Sequence, residues 1–249
     1  MSLDFPRQKL GHFPTPIEFL KNISNHLGGP KIYIKRDDCT GLATGGNKTR
    51  KLEYLMPDAI KNKATKIITV GAVQSNHARQ TAAACALLNL RCLIVLEERL
   101  ENAPMAYKKS GNVFLDKLFG AEIIVCPKNR DVKEYAEELM VKCKSNGEIP
   151  YFIPVGGSNE IGELGYIECM REISQESKNN KFTHVILASG SGGTHSGSIV
   201  GKIYYKYNIN VIGISVKDKR KDQEEKVFNL AKKCCDYIKS PYPKREEII

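Results

Sequence analysis

Residues 66–96 read KIITVGAVQSNHARQTAAACALLNLRCLIVL, and this stretch decides the fold class. Two runs rich in Ile, Val and Leu, residues 66–70 and 92–96, flank a helical pattern at residues 77–88. Each run is nearly continuous in apolar residues, which is typical of a strand buried on both faces of a sheet. The order strand, helix, strand therefore predicts two parallel strands joined by a helical crossover.

The same alternation continues through most of the chain. Further strands are predicted at residues 122–126, 151–154, 184–188 and 210–215, and further helices at residues 112–119, 132–144, 165–175, 194–205 and 223–238. Before residue 47 the pattern differs, because a proline-rich lead is followed by one predicted strand at residues 31–35. The sequence predicts an α/β protein with a doubly wound parallel sheet and helices on both faces.

The amino-acid composition is typical of a globular protein and argues against a membrane or secreted protein. The 249 residues are 41% hydrophobic and 27% charged, as in ordinary globular proteins. No stretch approaches the roughly 20 apolar residues that span a bilayer, and the start of the chain has no apolar signal segment. The eight cysteines contain no C-x-x-C pair and lie mostly in apolar runs. We therefore expect a cytoplasmic protein with reduced thiols, no metal site and no membrane contact.

The net charge of +10 raises the question whether the protein binds nucleic acid. The lysines are spread along the chain, and the densest charged run, residues 217–226, has four acidic residues beside five basic ones. No basic stripe or aromatic platform accompanies the charge, so we expect no nucleic-acid partner. A basic protein can still attract small anionic ligands.

Three glycine-bearing loops carry the candidate chemistry. They are residues 45–53 (GGNKTRKLE), residues 71–77 (GAVQSNH) and residues 188–197 (ASGSGGTHSG). The second and third follow predicted strands, and ligands of doubly wound sheets bind beyond the carboxyl ends of the strands. The small residues of the third loop would let backbone N–H groups converge on a phosphate, with Thr194 adding a hydroxyl. The alternative is a tight strand-to-helix turn.

Two common nucleotide motifs fail in these loops. The dinucleotide fingerprint G-x-G-x-x-G would need glycine where His195 stands, and a Walker A loop would need glycine directly before Lys48, where Asn47 stands. For the second loop, the alternative to a binding role is that Ser75 or Asn76 is merely the N-cap of the following helix. Taken alone, Lys48 would be an exposed charge in most proteins.

Together the loops resemble pyridoxal-phosphate (PLP) enzymes of the tryptophan-synthase-β fold. The match narrows to the D-cysteine desulfhydrase and aminocyclopropane-carboxylate (ACC) deaminase family. It rests on ordered segments between Pro14 and about Ser215: residues 33–38 (YIKRDD), 45–53, 70–81, 153–158 with 164–166, and 188–197. The resemblance implies two lobes with PLP in the cleft between them. The larger lobe would comprise residues 1–50 and 155–249, and the smaller lobe residues 51–154.

The resemblance also implies roles for individual residues. Lys48 corresponds to the lysine that bonds covalently to PLP, and a desolvated lysine near other cations has the lowered pKa that such a nucleophile needs. Asn76 corresponds to the residue that binds the PLP 3′-oxygen. Ser75 is a candidate for proton handling or for the substrate carboxylate, and Ser75, Asn76 and His77 are the candidate substrate contacts. The phosphate cradle corresponds to Gly190, Ser191, Gly192, Gly193 and Thr194.

The resemblance favours a particular reaction. ACC deaminases typically have glutamine where this chain has His77, and the pair Thr194-His195 also looks more like the desulfhydrase branch. The expected reaction is β-elimination from D-cysteine, giving pyruvate, ammonia and hydrogen sulfide, with PLP as the electron sink. ACC deaminase, a sulfonate-eliminating relative acting on cysteate, and a non-catalytic PLP binder or dimerisation partner stay open as alternatives. A homodimer acting on a small amino acid is expected.

Members of the family continue past the strand at residues 210–215. Their further units carry a tyrosine-bearing substrate segment and a late turn whose hydroxyl meets the PLP ring nitrogen. Neither has a counterpart before Ile249. The expectation from the sequence is thus a shortened relative with part of the family's site, a weak catalyst, and an uncovered apolar edge on its sheet.

Overall fold

A computed structural model of the protein describes residues 3–249. The strands are β1 (Ile17–Phe19), β2 (Tyr33–Lys35), β3 (Lys66–Ala72), β4 (Arg91–Glu97), β5 (Glu122–Val125), β6 (Pro150–Ile153), β7 (His184–Ser189) and β8 (Asn210–Ser215). The helices are α1 (Lys21–Leu27), α2 (Thr49–Lys61), α3 (Asn76–Leu87), α4 (Met105–Lys109), α5 (Gly111–Leu118), α6 (Val132–Ser145), α7 (Glu160–Asn180), α8 (Gly193–Tyr204) and α9 (Arg220–Ile238).

The strands form three sheets. Four parallel strands are ordered β5-β4-β3-β6, β7 pairs in parallel with β8, and β1 pairs antiparallel with β2. Strands β3 and β4 are buried over nearly their whole length, because helices cover both faces of the four-stranded sheet. The predicted parallel α/β arrangement is present, and the strand at residues 31–35 belongs to a separate antiparallel pair.

Helix α7 is longer than the predicted segment at residues 165–175. It begins after Asn159, whose side chain accepts a hydrogen bond from the Gly162 amide at 2.9 Å. Glycine has low helix propensity, so Gly162 and Gly165 interrupt the helical pattern of the sequence, and the predicted helix begins too late. In the fold, a Cβ on Gly165 would overlap the backbone of Arg50. Gly165 therefore allows close packing between α7 and α2. The strand-helix alternation did not predict α2 as a full element.

Two hydrophobic cores lie under the elements that carry the three loops. One packs α2 and α3 against β3 and β4, and the other packs α7 and α8 against β7 and β8. The eight cysteines are free; seven of them are buried and Cys39 is exposed. Over residues 3–249, none of the helices is both long and apolar enough to cross a bilayer.

Candidate active site

The three loops meet around Lys48. Its Nζ donates a hydrogen bond to Asn47 Oδ1 at 3.1 Å, and Asn76 Nδ2 donates to the same oxygen at 3.2 Å. On the other side, a Cβ added to Gly156 would lie 3.3 Å from Lys48 Cε and would overlap Ser191 Oγ. Lys48 thus lies between the start of α3 and the loop at residues 190–194, although these segments are far apart in the sequence.

The surroundings of Lys48 favour the neutral amine. Burial lowers the pKa of its ammonium group to about 8 from the ordinary 10.5. At pH 8 about half of such amines are neutral, against less than about 1% of ordinary lysines. The neutral amine is the form that attacks a carbonyl carbon, so Lys48 is prepared for covalent chemistry with an aldehyde.

The loop at residues 190–194 joins β7 to the N-terminus of α8. Gly192 has a φ of 91°, in the left-handed region that favours glycine. A Cβ on Gly193 would lie 2.5 Å from Ser158 Oγ and 2.8 Å from Lys51 Nζ, so any larger residue would displace these two side chains. Small residues at the N-terminus of a long helix leave backbone N–H groups accessible to an anion. The loop therefore has the shape and polarity of a phosphate cradle.

Lys51 is a second lysine of the site and was not among the predicted site residues. Its side chain is fully buried, and its Nζ donates to Ser158 Oγ at 3.2 Å. Ser158 Oγ in turn donates to Ser191 Oγ at 2.8 Å and accepts from the Gly193 amide at 3.2 Å. The sequence held a signal, because Lys48 and Lys51 are three residues apart at a helix start and hence share a face.

In its charged form, the buried Lys51 ammonium group needs a partner of opposite charge. Burial and, secondarily, the charge of Lys48 hold its pKa well below the usual range, while the buried carboxyl of Glu163 acts in the opposite direction. An anion at the loop would offset the cost of a buried ammonium group. Lys51 therefore suits a phosphate held at residues 190–194.

Ser75 and His77 have structural contacts of their own. Ser75 is the N-cap of α3, and its Oγ accepts from the Ala78 amide at 3.2 Å. His77 is 3% exposed, with its Nε2 2.9 Å from Thr69 Oγ1 of β3. Burial, together with the charges of Lys48 and Lys51, lowers the pKa of the His77 imidazole to about 3 and keeps it neutral. Substrate contacts by Ser75 and His77 stay predictions.

His195 was one of the two features that favoured the desulfhydrase branch. Its ring packs against β8, where a Cβ on Gly213 would overlap the ring, and its Nδ1 lies 3.2 Å from Ser189 Oγ. Burial lowers the pKa of this imidazole to about 4. The side chain thus belongs to the contact between α8 and β8.

The residues around Lys48 fit PLP. A half-buried amine of lowered pKa faces a glycine loop at a helix N-terminus, and a buried lysine lies beside that loop. A sequence model of the family described as pyridoxal-phosphate dependent enzyme matches residues 8–245. The chain belongs to this family. Its cofactor is PLP, and the predicted two-lobed α/β fold of the tryptophan-synthase-β type is confirmed.

Relatives within the family show how far the likeness extends. The chain is 44% identical to a D-cysteine desulfhydrase of Yersinia enterocolitica over 227 residues, which cover 91% of this chain and 68% of that protein. It is 43% identical to a D-cysteine desulfhydrase of Serratia proteamaculans over 230 residues, covering 92% of this chain and 69% of that protein. A solved structure of an ACC deaminase homologue superimposes with a TM-score of 0.88 at 40% identity, covering 97% of this chain and 72% of that one.

Proposed function

We propose that this PLP-dependent lyase eliminates sulfide from D-cysteine and releases pyruvate, ammonia and hydrogen sulfide. We propose D-cysteine as the substrate because the chain is 44% identical to a D-cysteine desulfhydrase over 91% of its length. The site is compatible with it, since Lys48, Asn76 and the loop at residues 190–194 lie together. Bound PLP supplies the electron sink that stabilises a carbanion at the substrate α-carbon.

Each candidate residue has a task that follows from its position. Lys48 Nζ would bond to the cofactor and, with a pKa of about 8, exchange a proton at the α-carbon near neutral pH. Residues 190–194 would hold the phosphate through backbone N–H groups, with Lys51 as the cation beside them. Asn76, whose amide lies 3.2 Å from Asn47 Oδ1, would orient the ring through its 3′-oxygen. These assignments rest on the geometry and on the family resemblance.

The start of α3 is our proposed site for the substrate carboxylate. Ser75 caps this 12-residue helix, and Asn76 at its first turn is exposed. The N-terminus of a helix carries a partial positive charge and free N–H groups, both of which stabilise a carboxylate. The substrate would then lie beside the Lys48 amine, close to the α-carbon proton that must be removed.

ACC deaminase is the second candidate activity. It is supported by the solved ACC deaminase homologue, which superimposes with a TM-score of 0.88 at 40% identity. Both reactions release ammonia, so ammonia does not distinguish them. The keto acid does, because D-cysteine gives pyruvate and the cyclopropane amino acid gives 2-oxobutyrate.

The test is an assay of the PLP-loaded protein with D-cysteine, L-cysteine, D-cysteate and ACC. We expect pyruvate and sulfide from D-cysteine, and a loss of at least about a thousandfold in the Lys48→Ala variant. Lys61→Ala, which removes an exposed lysine from the far end of α2, is the matched control and should retain activity. Faster formation of 2-oxobutyrate from ACC, or pyruvate from cysteate alone, would overturn the proposed substrate.

We also propose a cytoplasmic location and a homodimer. The eight free cysteines are typical of a reducing compartment and support the location. The dimer rests on the family resemblance alone.

A further inference from the structure

The backbone before Lys48 has an unusual conformation. Ala43, Thr44, Gly45 and Gly46 have φ angles of 48°, 67°, 82° and 136°, so four successive residues lie at positive φ. Glycine adopts this region freely, but alanine and threonine pay a steric cost there. Contacts from elsewhere in the fold must therefore hold the turn at residues 43–46.

Arg79 of α3 makes such contacts. Its Nη1 donates to the Ala43 carbonyl and to Thr44 Oγ1, and its Nη2 donates to the Gly45 carbonyl at 2.9 Å. The residue is 6% exposed, so these bonds replace its contact with water. A guanidinium group suits three acceptors in one turn, because its donors lie in a rigid planar fork.

The neighbouring residue Gln80 holds the other side of Lys48. Its Oε1 accepts from both the amide and the hydroxyl of Thr49, each at 2.9 Å. Its Nε2 donates to the Asn76 carbonyl at 2.8 Å. Helix α3 thus fixes the backbone immediately before and after the lysine, while its own first residue, Asn76, binds Asn47.

A buried carboxyl group accompanies Arg79. Asp116 of α5 is fully buried, and neither of its carboxylate oxygens has a hydrogen-bond partner within residues 3–249. Its charge favours the charged form of Arg79, and the charge of Arg79 favours ionised Asp116. Arg79 is therefore hydrogen-bonded to the turn at residues 43–46 and lies near enough to the Asp116 carboxyl group of α5 for their charges to interact.

We propose that Arg79 is a positioning residue for Lys48. Its guanidinium holds the left-handed turn at residues 43–46 and thereby fixes the backbone from which the Lys48 amine projects toward the cofactor. This inference rests on the proposed role of Lys48 as the PLP lysine, but it requires neither D-cysteine nor turnover.

The test measures Lys48 itself in the cofactor-free protein. Competitive acylation with a trace reagent gives the pKa and reactivity of each lysine, and borohydride trapping followed by peptide mapping gives the rate at which Lys48 captures PLP. We expect Arg79→Met to slow PLP capture roughly tenfold, because a displaced amine no longer meets the aldehyde at the right angle. We also expect the Lys48 pKa to move up toward 10.5 as water reaches the loosened loop. Arg171→Met, which alters an arginine on α7 paired with Glu168, is the matched control and should change neither value.

Two further variants separate positioning from general stability. Arg79→Lys keeps the positive charge but loses the planar set of guanidinium donors. This variant should therefore fold and still capture PLP more slowly. Adding Ala43→Gly to either variant should restore part of the rate, because glycine adopts the left-handed region without strain. A lower melting temperature with unchanged capture rate and Lys48 pKa in both Arg79 variants would overturn the proposal. If Arg79→Met does not fold, an unchanged capture rate and Lys48 pKa in Arg79→Lys alone would overturn the proposal. Failure of D-cysteine turnover in the parent protein would overturn only the proposed function.

Discussion

Lys48 and Lys51 lie one helical turn apart, yet the fold gives them different surroundings. Lys48 lies beside the start of α3 with its amine on Asn47, whereas Lys51 is fully buried beside Ser158 and the loop at residues 190–194. Both have lowered pKa values because both are desolvated. One amine is thus placed for covalent chemistry and the other for binding an anion.

The pKa of Lys48 leads to a prediction at the residue scale. Because burial lowers the pKa to about 8, the neutral amine accumulates as pH rises through 8 rather than through 10.5. We expect the rate of PLP capture by the cofactor-free protein to reach half its maximum near pH 8. Borohydride trapping between pH 6 and pH 11 checks this, with acetyl-lysine amide as the control for titration of PLP itself. A midpoint above about pH 9.5 would contradict the burial that we assign to this amine.

At the scale of elements, α3 is the helix that organises the site. Its first residues contact Lys48 through Asn47, its N-cap Ser75 ends the loop after β3, and Arg79 and Gln80 hold the chain on both sides of the lysine. Helix α5 packs on α3 and brings Asp116 toward Arg79. The order of these elements was predictable, but their mutual contacts were not.

Asp116 leads to a prediction about stability. Burial raises the pKa of its carboxyl group to about 7 from 3.8, against the opposing effect of Arg79. Between these values the folded protein binds a proton that the unfolded chain does not, so the free energy of unfolding falls as pH rises from 3.8 to 7. Asp116→Asn keeps the shape of the side chain but does not ionise. The free energy of unfolding of Asp116→Asn minus that of the parent protein should therefore increase by about 2 kcal/mol as the pH rises from 5 to 8.

Urea unfolding at the two pH values measures this change. Glu101→Gln, which neutralises an exposed carboxylate, is the control and should show no comparable trend. An advantage of Asp116→Asn that is equal at pH 5 and pH 8 would mean that the carboxyl group does not titrate in this range.

At the scale of the whole molecule, one face of the pair β7–β8 is apolar and exposed. Ile186 is 67% exposed and Ile214 is 56% exposed, and Ile186 lies opposite Ile212 in the strand register. The other face packs into the core through Val185, Leu187 and Val211. Such a continuous apolar surface favours association with another polypeptide surface.

We therefore expect the chain, purified alone, to self-associate through this face. The double substitution Ile186→Thr and Ile214→Thr should weaken association roughly tenfold, because it removes exposed apolar area. It should leave the melting temperature nearly unchanged, since both side chains are largely exposed. Sedimentation velocity over a range of concentrations measures this. The control is Leu87→Thr with Leu118→Thr, which are comparably exposed, at 62% and 64%, but lie on separate helices. Equal association in both variants would exclude the β7–β8 face as the cause.

The parallel α/β order and the family could both be predicted from the amino-acid sequence. Nearly continuous runs of Ile, Val and Leu that alternate with helical patterns indicate buried strands. The glycine-rich turns that follow the strands can likewise be recognised from short stretches of sequence. Lys48, Asn76 and residues 190–194 were singled out as site residues by the family resemblance, not by local pattern. Their catalytic and binding roles stay predictions.

The groups that surround Lys48, by contrast, depend on contacts between distant segments of the chain. Burial of Lys51, the hydrogen bond of His77 to Thr69 and the packing of His195 against β8 depend on segments that meet after folding. Arg79 reaches a turn 35 residues earlier in the chain. No periodicity or propensity encodes such contacts, because the free energy of a buried charge depends on what the whole fold places beside it.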